Sequence, residues 1–147
     1  MANIRRATLL DRQSVEDVYA TVTGTSLSLS DDEWHHWLNV HGIVIAEADD
    51  RVIGFGGIDT TAREHLRWLY LLPEFQRSGV GSRILSDLER VAWKSGLQSI
   101  RLHATPNAVQ FYAKRGYTLV PRNQQLGHDH DGVEMIKMRK EVSTTSR

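Results

Sequence analysis

The spacing of apolar residues along the chain changes from two to three or four and back, and each change marks an element. Leu66 to Leu72 is apolar and aromatic apart from Arg67. It reads as a strand that Pro73 stops, because proline cannot donate to a ladder. Val80, Ile84, Leu85, Leu88, Val91 and Ala92 then fall on one face of a helix over 80–94, which Ser95-Gly96 ends. Upstream, Asn3 to Thr8 is a first edge strand, and Asp11 is placed to cap a helix to about Thr23 with Val15, Val18, Tyr19 and Val22 on its inner face. Ser30 and Glu33 form a capping box for a second helix, with Asp31 and Asp32 in its first turn. That helix carries Trp34, Trp37, Leu38 and Val40, and Gly42 is expected to close it.

A hairpin follows: strand Ile43 to Ala48, turn Asp49-Asp50, strand Val52 to Ile58. Gly54, Gly56 and Gly57 in the second strand predict a bulge or a close approach to the backbone. Beyond the long helix, Leu97 to Ala104 predicts a strand, and Thr105-Pro106 the cap and first residue of a helix that ends at Gly116. Tyr117 to Val120 and Val133 to Met138 are the last strands, joined by a polar loop over 121–132. The order β-α-α-β-β-β-α-β-α-β-β predicts an α+β fold with a mixed sheet of about seven strands and about four helices. Its hairpin is antiparallel, and its crossover from strand 66–72 to strand 97–104 is parallel.

Composition narrows the picture only a little. The 147 residues suit a single domain over 1–141, with 142–147 a polar, disordered tail. Eighteen basic and eighteen acidic residues cancel, which argues against a nucleic-acid or membrane-surface partner. The absence of cysteine removes thiolate chemistry, disulfides and cysteine metal sites. With no apolar run long enough to span a bilayer and no signal-peptide pattern, a cytoplasmic location is the expectation.

Candidate chemistry begins at the turn Gln76-Arg77-Ser78-Gly79-Val80-Gly81 between strand and helix. Glycines there let a ligand near the backbone, and free N–H groups at a helix start suit a phosphate. A tight connection without any ligand fits the turn alone equally well. A P-loop would need Gly-Lys-Ser/Thr where Gly81-Ser82-Arg83 stands. A dinucleotide fingerprint would need a small residue at Ile84 and an acidic residue ending the next strand.

Ala108-Val109-Gln110-Phe111-Tyr112-Ala113-Lys114-Arg115-Gly116-Tyr117 follows about thirty residues later. With the Gln/Arg-x-x-Gly-x-Gly/Ala turn and the preceding Leu69-Tyr70-Leu71-Leu72-Pro73, it resembles the acetyl-CoA signature of the GCN5-related N-acetyltransferase (GNAT) superfamily. The element order matches that fold too.

The resemblance implies an N-acetyltransferase that uses acetyl-CoA as co-substrate. The amine acceptor is a small molecule or peptide and transfer is direct, in a ternary complex. A non-catalytic acyl-CoA-binding sensor on the same fold is the alternative. By resemblance, the amides of Arg77, Ser78, Gly79, Val80, Gly81 and Ser82 cradle the pyrophosphate beside Gln76, with Arg83 near. Leu69 and Leu71 offer backbone groups to the pantetheine arm, one of them as an oxyanion donor. Tyr112, next to Phe111, protonates the leaving thiolate, as a phenol that stays protonated at pH 7 can. Many members carry Asn where Thr105 stands, and the resemblance implies that contact for the nearest Asn, Asn107, at the same helix end. For the base that deprotonates the amine, Glu64, His65 and His103 are the candidates, His65 first. His128-Asp129-His130-Asp131 fits either a polar loop bordering the acceptor or, less simply, a metal site, and no metal is assigned. Trp34 and Trp37 are core residues or the roof of an acceptor pocket. The family often dimerises, so a homodimer stays open.

Overall fold

The structure is a computed structural model and describes residues 2–61, 65–121 and 132–140. Glu64, the 128–131 stretch and the 142–147 tail lie outside the described residues. The elements are β1 (Asn3–Arg6), α1 (Arg12–Thr23), α2 (Asp31–Val40), β2 (His41–Ala48), β3 (Arg51–Asp59), β4 (Leu66–Leu71), α3 (Val80–Lys94), β5 (Ser99–Ala104), α4 (Val109–Ala113), β6 (Thr118–Leu119) and β7 (Val133–Met138). This is the α+β order read from the sequence. Short 3-10 turns precede α1, α3 and α4. Among the described residues, no helix is long and apolar enough to cross a membrane.

The strands form two sheets. One is antiparallel with order β1-β2-β3-β4; the other, β5-β7-β6, is also antiparallel. Among the described residues they meet at a single parallel bridge, His65 to Arg101. The expected mixed sheet is therefore split along the seam between β4 and β5. Ile43, Ile45, Ile53 and Phe55 of the β2–β3 hairpin are buried together with Ile84, Leu85 and Leu88 of α3 and with Val15 and Val18 of α1. Each side chain of this size contributes about 1.5–3 kcal/mol on burial.

The hairpin turn is tight because Asp49 and Asp50 both adopt positive φ, 53° and 61°, matching the right-handed twist of the strands. The glycines of β3 do what their lack of a side chain suggests. A Cβ on Gly56 would stand 2.6 Å from Leu88 Cδ1, and one on Gly57 would overlap the Trp68 ring. The β3–β4 register also shifts between Gly57 and Ile58, which is the bulge.

Local differences from the sequence reading have physical causes. Gly42 does not close α2 but lies inside β2, where a Cβ would meet Val91 of α3 at 2.5 Å. The helix instead passes into β2 at His41, whose N–H donates to Trp37 O. The Asp11 side chain does not cap α1. It closes a capping box with Thr8 on the preceding 3-10 turn and accepts two hydrogen bonds from Arg5, at 2.8 and 2.9 Å. The strand expected from Leu97 begins at Ser99, because Gly96 (φ 91°) and Leu97 complete the C-terminus of α3 by donating to Trp93 O and Ala92 O. Thr105 has extended cap geometry, but its side chain makes no cap bond.

Candidate active site

The chain leaves β4 through a fixed sequence of bonds. Leu72 N–H donates to Ile53 O at 2.8 Å, which extends the β3–β4 pairing by one step. Pro73 opens one 3-10 turn, and the Gln76 side chain folds back to donate to Leu71 O at 3.1 Å. The Ser78 hydroxyl donates to Phe75 O. Arg77 sits at φ 65° and Gly79 at φ 87°, so the backbone reverses twice before α3 begins. A non-glycine residue at positive φ is strained, and such strain gathers where a loop serves a ligand.

This geometry exposes a row of donors. None of the amides from Arg77 to Ser82 makes a well-formed hydrogen bond to an acceptor among the described residues. The first helical bond of α3 comes only at Arg83 N–H to Gly79 O, 3.2 Å. Unpaired N–H groups at the positive end of a fifteen-residue helix form an anion site.

A cavity of about 560 Å³ opens beside this turn. It is lined by Leu69, Tyr70 and Leu71 of β4, by Gln76, Arg77, Gly79, Gly81 and Ser82 of the turn and the start of α3, by Asn107, Ala108, Phe111, Tyr112 and Arg115 in and around α4, and by Val22 of α1. Of the predicted residues, Ser78 and Val80 turn away and line a neighbouring hollow with Arg83. Thr105 is not among the lining residues, whereas Asn107 is. Val22, Tyr70, Ala108 and Arg115 were not anticipated as site residues. Arg115 had a signal, four residues after Phe111 and hence on the same helical face.

Tyr112 is 8% exposed and packs edge-on against Phe111 and Tyr117. Burial pushes its phenol up to about 12, with a further rise from Tyr70. Its hydroxyl has no hydrogen-bond partner among the described residues. The phenol therefore stays neutral and able to donate over the whole working pH range.

His65 lies at the seam rather than in the cavity wall. Its ring stacks on His103, centroids 5.5 Å apart and planes 9° apart. His103 Nε2 is 3.9 Å from Glu134 Oε1, and that buried carboxylate also accepts from Arg101 at 2.7 Å. Trp34 is buried and donates to Leu9 O. Trp37 stacks on Trp68 at 4.1 Å. Among the described residues no group of acidic or imidazole side chains is arranged to hold a metal. A second cleft of about 550 Å³ lies near β1 and α1, but its cations are already paired, Arg5 with Asp11 and Glu47, and Arg51 with Glu74.

Known proteins resemble this chain in sequence and in fold. Residues 23–142 match the family model described as an acetyltransferase (GNAT) domain. Two proteins of Bacillus subtilis are related in sequence. YyaT, itself described as uncharacterized, is 32% identical over 78 residues, 53% of this chain and 50% of its own length. A putative acetyltransferase is 27% identical over 107 residues, 72% of this chain and 65% of its own length. The chain thus spans between half and two thirds of both relatives. The crystal structure of PaiA N-acetyltransferase from Thermoplasma acidophilum, in complex with coenzyme A, superposes with a TM-score of 0.74 at 20% identity, over 95% of this chain and 99% of that one.

Proposed function

The chain belongs to the GNAT acetyltransferase family, and from that premise we propose that it transfers the acetyl group of acetyl-CoA directly to an amine of a small molecule or peptide within a ternary complex. The observation that carries this reading is the convergence, on one cavity, of the amides of the Gly79–Ser82 turn and the edge of β4, both without partners among the described residues, and of the hydroxyl-bearing Tyr112. A coenzyme A complex of the same fold supports it.

In this reading the diphosphate lies on the amides of Arg77 to Ser82. Gln76 holds the end of β4 against the turn through Leu71 O. The pantetheine arm runs along β4, taking backbone groups of Leu69 and Leu71, and one amide there faces the thioester oxygen as negative charge builds on it. The amine nitrogen forms the C–N bond while the C–S pair leaves with sulfur. His65, at the seam, accepts the proton that the amine releases.

Tyr112 stabilises the departing sulfur. An ordinary thiol titrates near 8.5, well below a phenol pushed up to about 12, so complete proton transfer to the thiolate is uphill. The contribution of Tyr112 is thus mainly a hydrogen bond that strengthens as sulfur becomes anionic. Final protonation of the thiolate draws on the proton lost by the amine.

The test is thiol release from acetyl-CoA against a panel of primary amines, alongside calorimetry with coenzyme A. Affinity with amine-dependent release supports the enzyme. Affinity with no release for any amine assigns the fold to the acyl-CoA-binding alternative, and absence of affinity removes the cofactor reading.

A further inference from the structure

We infer that Arg115 reads the 3′-phosphate of coenzyme A and so makes the site select coenzyme A over its 3′-dephospho form; this rests on the cofactor reading above. The guanidinium is fixed in three ways. Its plane lies over the Phe111 ring, 3.9 Å from the centroid. Nε donates to Ser82 Oγ at 3.0 Å, and Nη1 donates to Phe111 O at 2.7 Å. The backbone carbonyl of Arg115 is itself held by Lys137 Nζ at 2.9 Å, and Lys137 also pairs with Glu89.

These contacts orient the charge without neutralising it. Among the described residues no carboxylate lies within ion-pair distance of Arg115, although Arg5, Arg12, Arg51, Arg90 and Arg101 all have one. A guanidinium has five N–H donors, and two are engaged here. The remaining three can meet an anion in the cavity that Arg115 helps to line. The Ser82 hydroxyl accepts from Arg115 and donates to nothing among the described residues, so its proton is available to the same anion.

This anion adjoins the diphosphate at Ser82 but takes side-chain donors of Arg115 and Ser82 rather than main-chain amides. Tyr70 of β4 and Tyr112 of α4 both line the cavity, and the thioester belongs beside them. Phe111 stands against Gly81, and Arg115, one helical turn on, against Ser82. The diphosphate has the turn amides. Coenzyme A carries one further phosphate, a ribose monoester with nearly two charges at neutral pH, and a preorganised guanidinium matches it.

Calorimetry with coenzyme A and 3′-dephospho-coenzyme A on the full chain tests this. The unmodified protein is expected to prefer coenzyme A by about tenfold or more, the range of hydrogen bonds to charged groups. Arg115→Met should weaken coenzyme A about tenfold, leave the dephospho form nearly unchanged and bring the ratio close to one, while Arg115→Lys recovers part of it. The two changes form a double-mutant cycle, and only a direct contact gives them a shared energy. An absent preference in the unmodified protein overturns the inference without any variant. Equal weakening of both ligands by Arg115→Met also overturns it and places the side chain on the diphosphate. Failure of the unmodified protein to bind either ligand instead removes the cofactor reading on which it rests.

Discussion

The two flanks of β4 differ in kind. Toward β3 the strand is sewn through five register pairs, from Gly54–Leu71 to Ile58–Leu66. Toward β5 a single bridge, His65 to Arg101, is all that joins it among the described residues. The closed flank is dry and tightly filled, with Ile53, Phe55 and Ile58 fully buried and α3 pressed onto Gly56. The open flank presents main-chain groups, an amide-lined turn and a buried phenol to one cavity. Backbone polar groups need partners, so a sheet leaves an edge open only where something else can supply them. The same strand thus stabilises the fold on one side and offers recognition on the other.

Substitutions that separate these two jobs give the sharpest tests. The largest effect belongs to the closed flank. Ile45→Ala empties a fully buried position opposite Phe55 and is expected to cost about 2–5 kcal/mol in urea unfolding. Coenzyme A affinity of the remaining folded protein should hardly change. A comparable loss of affinity would mean that the two flanks are not separable.

On the open flank the next largest effect is kinetic. Tyr112→Phe removes a hydroxyl that has no protein partner among the described residues, so the melting temperature should hold. Loss of one donor to developing charge should lower kcat by about a hundredfold, with coenzyme A affinity retained. A variant that keeps full turnover at every pH would strip the phenol of any role in the chemistry. Gly79→Asp is smaller. Its Cβ would enter open space, but at φ 87° any side chain is strained, and the carboxylate would face the diphosphate. About tenfold weaker coenzyme A binding, falling off as salt rises, is the expected outcome of calorimetry at two ionic strengths.

The closed flank was largely legible in the sequence and the open flank only partly. Periodicity placed α3 at 80–94 because one apolar face suffices to decide it. It also flagged the glycines of β3. The split between β4 and β5 was not visible, since Leu66–Leu71 and Ser99–Ala104 are as apolar as paired neighbours would be. The seam is a property of three dimensions, seen only once the partners of β4 and β5 are known. The turn and Tyr112 came through their motifs. Arg115 stood inside the same motif unremarked, because its relation to Ser82 and Phe111 needs α3 and α4 side by side. Gly42 was misplaced for a related reason: a glycine needed for contact with Val91 looks, along the chain, like a helix stop.

The smallest expected effect probes a flaw in the closed flank. His41 begins β2, is 8% exposed and stands edge-on to Trp68 at 4.9 Å. Its Nδ1 is buried without a hydrogen-bond partner among the described residues. Burial lowers its pKa, opposed by Asp59 and reinforced by Arg67 and His36. The folded state therefore binds a proton less readily than the unfolded chain, whose imidazole titrates near 6.5. Stability attributable to this group is complete above about 6.5 and declines as pH falls toward the lowered folded value. His41→Phe keeps an aromatic ring against Trp68 and removes both the orphaned nitrogen and the titration. It should flatten the urea-unfolding profile below about pH 6.5 and raise stability there by about 1 kcal/mol, the usual penalty of an unpaired buried polar group. An unchanged acid slope would shift that slope to other groups and leave His41 as a neutral ring in the packing.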